Sequence, residues 1–336
     1  MKLSFEQIQK ITKGAARIER DEGKIKFYRF TEEQEKLYFE DKLYSEPDKA
    51  FYKKTFATAG IRLEFKTNSK TLSLKVDVSP ASSRTFFSHD ISVNGEVKYS
   101  LASNLASTPD GHMTIEGSYA LGDGEKLICI YFPWSVASEL LSLDLDNGST
   151  IIPVEHSRRM IMFGDSITHG YDAAKPSEAY SSLLTDALDA EARNKGIGGE
   201  IFQPELAATS ERFVPDIITV AYGTNDWGRL TSKEEFDARA EAFYKNLAKC
   251  YPEAKIFALA PIWRGNVGIT TKVGKFEYIA EKLKDISEEI LNMRVINCID
   301  FVPHNPEMFS PDVLHPNFLG FSHYADNLIK EIKKYL

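Results

Sequence analysis

The stretch RMIMFGDSITHG, Arg159–Gly170, governs how the rest of the chain is read. Met160–Phe163 form a short apolar run that ends in turn formers, the pattern of a strand buried on both faces. Gly164, Asp165 and Ser166 then bring turn chemistry. A serine just past a buried strand is either an ordinary turn residue or a nucleophile, and the octapeptide FGDSITHG fits both. The surrounding rhythm has to choose.

Downstream the rhythm is strand, loop, helix. In PSEAYSSLLTDAL, residues 176–188, Tyr180, Leu183, Leu184, Ala187 and Leu188 share one helical face, with Ser177 available as the cap. DIITVAYG (216–223) is the next strand, and a helix with Phe236, Ala240, Phe243 and Leu247 at three-and-four spacing follows a Thr231 to Glu234 capping box. KIFALAPIW (255–263) and RVINCID (294–300) are further strands. Between them Phe276, Ile279, Leu283, Ile286 and Ile290 mark a helix, and a last helix follows Pro316. Apolar strands alternating with amphipathic helices predict a parallel sheet covered on both faces, with ligands beyond the carboxyl ends of its strands. Ser166 meets that condition of place.

Upstream, from Thr55 to Pro153, the period is two. GIRLEFKT, TLSLKVDV, HDISVNGEVKY, HMTIEGSYAL, KLICIYFP and LLSLDLDNG each put apolar residues at alternate positions, the signature of an all-β sandwich. Asn94-Gly95 predicts a tight hairpin. The first fifty residues, with a short helix and then KIKFYRF, are expected to pack onto that sandwich. The 336 residues therefore divide into an amino-terminal β-sandwich over 1–155 and an α/β unit over 156–336.

Composition narrows the partners. With 43% hydrophobic and 27% charged residues the chain is globular, and a net charge of -8 with no long basic run argues against nucleic acid. The apolar runs are strand-sized, so no membrane span is expected, and the amphipathic amino terminus lacks the apolar core of an export signal. Cys129, Cys250 and Cys298 have no close spacing and suit free thiols in a reducing compartment, so a cytoplasmic protein is expected. Its oligomeric state is left open.

Four stretches carry complementary chemistry: GDS after the first strand of this region, NKGIGG (194–199) after the second, GTND (223–226) after the third, and DVLHP (312–316) before the last helix. A serine hydroxyl needs a base, and His315 is the candidate; Asp312, three residues earlier, can hold its tautomer and stabilise the imidazolium. The oxyanion formed on attack needs donors, which the amides of Ser166 and Gly199 and the side chain of Asn225 can supply. His169 is expected to support the loop rather than act as base, Asp165 to fix the turn, and Asp226 to tie its loop to neighbours.

GDSITHG, NKGIGG, GTND and DVLHP, in this order on these elements, resemble the SGNH (GDSL) hydrolase family. The resemblance covers about Arg158 to Leu336 and implies a flavodoxin-like three-layer domain with Ser166 as nucleophile, His315 and Asp312 completing a triad, and Ser166, Gly199 and Asn225 as the oxyanion hole. The jelly-roll-like sandwich in front is similar to carbohydrate esterases that remove acetyl groups from sugars. The substrate so implied is an acyl ester, by preference an acetylated carbohydrate, with short-chain acyl esters as the alternative. A catalytically silent sugar-binding protein is the alternative of a different class.

Other chemistries fit less well. Asp165, His169, Asn225, His304 and His315 can be drawn as ligands of a two-metal hydrolase, but no zinc helix, paired-cysteine site or calcium loop accompanies them, and no metal or cofactor is expected. GIGGEI lacks the third glycine of a dinucleotide fingerprint, and Thr168 stands where the nucleophile elbow of another serine hydrolase fold has glycine. Trp227 and Trp263 follow the third and fourth strands; with Arg264 they are the candidates for shaping a sugar or acyl pocket.

Overall fold

The computed structural model describes residues 1–40, 49–108 and 111–336. Among these, two antiparallel sheets make up a sandwich. One has the order β1 (Thr12–Lys13), β4 (Arg62–Thr67), β9 (Lys126–Tyr131), β6 (Phe86–Val93), β7 (Glu96–Asn104), with β11 (Ile152–Pro153) also on β4. The other runs β2 (Arg17–Asp21), β3 (Lys24–Tyr28), β10 (Val136–Leu145), β5 (Thr71–Pro80), β8 (Met113–Ala120). Alternation does what the pattern requires: Leu72, Leu74, Val76 and Val78 of β5 are all buried in one core between the sheets, joined by Ile8 and Ile11 of helix α1 (Phe5–Ile11). Asn94 and Gly95 turn β6 into β7 with φ of 52° and 84°, the left-handed pair that a tight hairpin needs.

The third sheet is parallel, in the order β13 (Ala190–Gly196), β12 (Arg158–Gly164), β14 (Ile217–Ala221), β15 (Lys255–Ala260), β16 (Met293–Asn297). Taken by their sequence rank within this sheet the strands stand 2-1-3-4-5, the flavodoxin-like order. The first strand, β12, thus has neighbours on both sides, and its carboxyl end is the switch point. Ile161 and Phe163 face a core shared with helices α8 (Lys233–Cys250) and α9 (Tyr278–Glu289). Met160 and Met162 face the opposite core, shared with α5 (Tyr180–Ala187) and α10 (Phe318–Lys333). Short helices α4 (Ser166–His169), α6 (Pro204–Ala207) and α7 (Thr224–Arg229) start just beyond β12, β13 and β14.

Three local expectations change. The first fifty residues do not all lie on the sandwich: helices α2 (Glu32–Glu40) and α3 (Ala50–Thr55) send Tyr38 and Phe51, with Phe30, into the α8/α9 core of the parallel sheet. The Ser177 hydroxyl does not cap α5, whose N-cap is Ala179; it donates to Asp90 of β6 at 2.6 Å, a contact available only once the sandwich is docked. The α8 cap lies one residue later than expected, with Ser232 accepting from the Glu235 amide at 3.1 Å while Glu235 reaches back to Thr231.

The switch point is closely packed. A Cβ placed on Gly196 would stand 2.3 Å from the His169 nitrogen, and one on Gly164 would meet the Thr168 hydroxyl at 2.0 Å. Gly196→Ala is therefore expected to destabilise the fold by about 1–3 kcal/mol, since backbone rather than a movable side chain blocks the methyl. The urea midpoint reads this, and a midpoint equal to the parent's would show that the strand ends have room to part.

Candidate active site

Asp165 begins the site. Its carboxylate accepts from the Ile167 amide at 2.9 Å and so caps α4, turning the chain sharply after β12 and bringing Ser166 to the strand end. The expectation that Asp165 fixes the turn matches this contact. Burial raises its pKa to about 7 against the amide hydrogen bond.

His315 arrives from the loop before α10. The Asp312 carboxylate accepts from the amides of Leu314 at 3.0 Å and His315 at 3.1 Å, folding the loop into a turn on its own side chain. Val313, at φ 50°, takes the left-handed position of this turn, and its carbonyl accepts from the Gly265 amide at 2.8 Å. The outcome is a chain of contacts: Asp312 Oδ2 lies 2.5 Å from His315 Nδ1, and His315 Nε2 lies 2.8 Å from Ser166 Oγ. An ionised carboxylate accepts at Nδ1, which leaves the Nε2 lone pair for the serine hydroxyl proton. Burial favours a neutral Asp312, but the two amides and the imidazole outweigh it and hold the carboxyl below its ordinary range.

The donor side is built from β13 and β14. Gly199 has φ 87°, and its carbonyl is held by the Arg229 guanidinium. The Gly198 amide is already used, donating to His169 Nδ1 at 3.2 Å, whereas the Gly199 amide has no hydrogen-bond partner among the described residues. Asn225, at the start of α7, donates one amide hydrogen to the Glu200 carbonyl at 3.0 Å and keeps the other. Gly223 and Phe202 amides both donate to Asp226, at 3.0 and 2.9 Å, which joins the Asn225 loop to the chain beyond Gly199 as expected of Asp226.

His169 is not a base for Ser166. It is fully buried with Nε2 2.9 Å from the Trp134 carbonyl, and burial pushes its pKa well down, so the ring is neutral with Nδ1 accepting from Gly198. Trp227 does not reach the pocket: its indole is 1% exposed, donates to the Gly274 carbonyl at 2.9 Å and meets Phe276 edge-on. Trp263 is half-buried, stacks on His304 and shares a hollow with Asp165, Ile167 and Leu314 beside the serine. Arg264 donates to Thr224 from the same rim.

Several residues at this site carry no motif. Tyr171 stacks on the His315 ring with centroids 5.8 Å apart. Asp172 Oδ2 stands 3.7 Å from His315 Nδ1 and is paired with Arg84 of the sandwich. Glu200 is fully buried and accepts from the hydroxyls of Tyr38 at 2.5 Å and Tyr222 at 3.0 Å. Its place immediately after Gly199 was the available signal; Arg84, from a loop of the sandwich, gave none. Asp172, Asp312 and His315 are near enough to share a cation. Such a cation would have to displace the Arg84 guanidinium from Asp172 and break the hydrogen bond between Asp312 and His315.

Residues 162–321 match the GDSL-like lipase/acylhydrolase family. No curated protein matches the sequence. Among solved structures, a salicylyl-acyltransferase from a tetracycline biosynthetic pathway is 19% identical, with TM-score 0.79 over 96% of this chain and 94% of that one. A GDSL-like lipase from Bacteroides ovatus is 20% identical, with TM-score 0.76 over 99% and 97%. A family two carbohydrate esterase from Clostridium thermocellum, solved with cellohexaose, is 16% identical, with TM-score 0.64 over 83% and 93%. These likenesses extend through the sandwich as well as the parallel sheet, and establish the fold. Among the described residues no helix is long and apolar enough to cross a membrane.

Burial raises the Glu200 pKa from 4.5 to about 8. The folded chain therefore keeps a proton that the unfolded chain has lost, and this contribution to stability, full below pH 4.5, is lost as pH rises through about 8. Glu200→Gln removes the dependence, so its urea midpoint is expected to gain on the parent's between pH 5 and pH 9. A difference that stays constant with pH would exclude a protonated Glu200.

Proposed function

We propose that this chain, whose carboxyl-terminal region is a GDSL-like lipase/acylhydrolase domain, is a serine esterase that removes acetyl groups from carbohydrate hydroxyls. The hydrogen-bonded series from Asp312 through His315 to Ser166 is the observation that carries the reading, with the Gly199 amide, unpartnered among the described residues, available as a donor. Ser166 Oγ attacks the acyl carbon while His315 Nε2 takes its proton, and the oxyanion is held by the amides of Ser166 and Gly199 and by Asn225. His315 then returns the proton to the departing sugar oxygen. Water repeats the sequence on the acyl-enzyme, His315 taking a proton from it and passing it back to Ser166 as the acid leaves. These steps need no group beyond the residues named.

The carbohydrate assignment is supported by the partly exposed Trp263, an aromatic that lines the hollow next to the serine's chain neighbours Asp165 and Ile167, with Arg264 following it in the chain. It is supported also by the sandwich in front of the hydrolase unit, which the carbohydrate esterase neighbour carries too. We take the unit boundary to lie near residue 155. Short-chain acyl esters are the second substrate class, with Ile167, Ile262 and Leu314 as the apolar side chains that border the hollow.

Ser166→Ala is expected to lower release of nitrophenol or acetate by about four orders of magnitude or more, and Asn225→Ala by about a hundredfold or more, in proteins of parental stability. Full turnover by the Ser166 variant would end the mechanism, and would leave a silent binding protein with an adventitious contaminant as the reading. Trp263→Ala is expected to raise KM on acetylated sugars with little change on nitrophenyl acetate. Faster turnover of long-chain nitrophenyl esters than of acetylated sugars would move the substrate to the second class.

A further inference from the structure

The imidazole of His315 has two carboxylates on its Nδ1 side. Asp312 belongs to the same loop and is locked at 2.5 Å by its own turn. Asp172 comes from the segment after α4, where it sits at φ 66° in a turn closed by the Ala173 amide on the Gly170 carbonyl. Its Oδ2 is 3.7 Å from Nδ1, about an ångström beyond a hydrogen bond and well inside the reach of a charge. Its side chain is only 17% exposed.

Asp172 is held in turn by the sandwich. Arg84, in the loop between β5 and β6, donates from Nε to Oδ1 at 2.8 Å and from Nη2 to Oδ2 at 3.1 Å, a two-point grip. The same guanidinium lies over the Tyr171 ring at 5.3 Å, and that ring stacks on His315. The charged and titratable groups around the imidazole are then Ser166, Asp312, Asp172 and Tyr171, with Arg84 on Asp172 and Arg264 within electrostatic reach of Asp312.

We propose that Asp172 is a positioning residue for His315, a second carboxylate at Nδ1 whose charge Arg84 of the sandwich partly cancels, so that the amino-terminal unit tunes the proton affinity of the base. This rests on the reading of His315 as general base. Removing Arg84 bares the carboxylate and favours the imidazolium. Removing Asp172 leaves a lone guanidinium beside the ring and disfavours it. When Asp312 is lost, Asp172 is the carboxylate nearest to take over at Nδ1.

The test follows the ring protons of His315 by NMR across pH in the full-length protein, beside the acid limb of kcat/KM. Arg84→Met is expected to move the titration midpoint and the acid limb up by about one unit, Asp172→Asn to move both down by a similar amount, and the double variant to return near the parent. Arg84→Lys keeps the charge and is expected to restore most of the parental midpoint, which a loss of packing alone would not do. In Asp312→Ala, turnover is expected to fall about a hundredfold, and adding Asp172→Asn to remove about a hundredfold more, toward the ten-thousandfold loss typical of a triad without its acid. Midpoints that stay fixed, or move the same way in Arg84→Met and Asp172→Asn, overturn the proposal. Opposite midpoint shifts in a protein that hydrolyses no ester would uphold the charge coupling and count against the esterase reading instead.

Discussion

The guanidinium of Arg29 is fully buried, and it is met by main-chain carbonyls. Nε donates to Ala57 at 2.6 Å, Nη2 to Lys54 at 2.9 Å, and Nη1 to both Asn194 and Gly196 at 2.9 Å. Two of these carbonyls belong to the end of β13 before the Gly198–Gly199 corner, and the other two belong to the last turn of α3 and to the segment that joins it to the sandwich. Burial lowers its pKa only to about 10, so the charge persists, and every hydrogen bond it makes is charge-assisted. Without this group the end of β13 would have carbonyls facing a dry interior, and the donor corner would lose its frame.

Around that frame the rest of β13 is explained. Asn194 and Lys195 are buried on a strand whose residues, AEARNKG, are mostly polar. Lys195 Nζ donates to the Arg29 carbonyl at 2.5 Å and to Gln34 at 2.9 Å, and pairs with Glu211. Asn194 donates to the Thr168 carbonyl at 2.7 Å and accepts from the Gly196 amide at 2.8 Å. An edge strand built this way costs more to bury than an apolar one, and it fixes a single register, because a shift by one residue would strand a charge in the core.

The sandwich is therefore more than an appended module. Trp134 packs against Gly170 and Tyr171 and accepts the His169 proton on its carbonyl; Asp90 receives the Ser177 amide and hydroxyl; Arg84 grips Asp172. Each contact lands on the segment just after the nucleophile. A turn as tight as Asp165–Gly170 holds its shape by local bonds, but where it points is decided by what packs over it.

Much of this chain is legible before folding. Alternation in TLSLKVDV and three-and-four spacing from Phe236 to Leu247 reflect which faces must leave water, and burying those faces drives folding more strongly than anything else, so strands and helices of both kinds could be read directly. GDS, GTND and DVLHP were legible for a second reason: each is a short turn whose own side chains bond its own backbone, as Asp165 and Asp312 do. Beyond that reach the sequence falls silent. Ser166 and His315 are 149 positions apart, Arg84 and Asp172 88 apart, and Arg29 and Gly196 167 apart, and a bond between polar groups leaves no period in the chain. Trp227 and Trp263 looked alike as aromatics after strands, yet one fills the core and the other borders the serine. That choice belongs to the crossing of helices over the sheet, since burial depends on what arrives from elsewhere in the chain to cover a side chain, and only the assembled tertiary structure contains it.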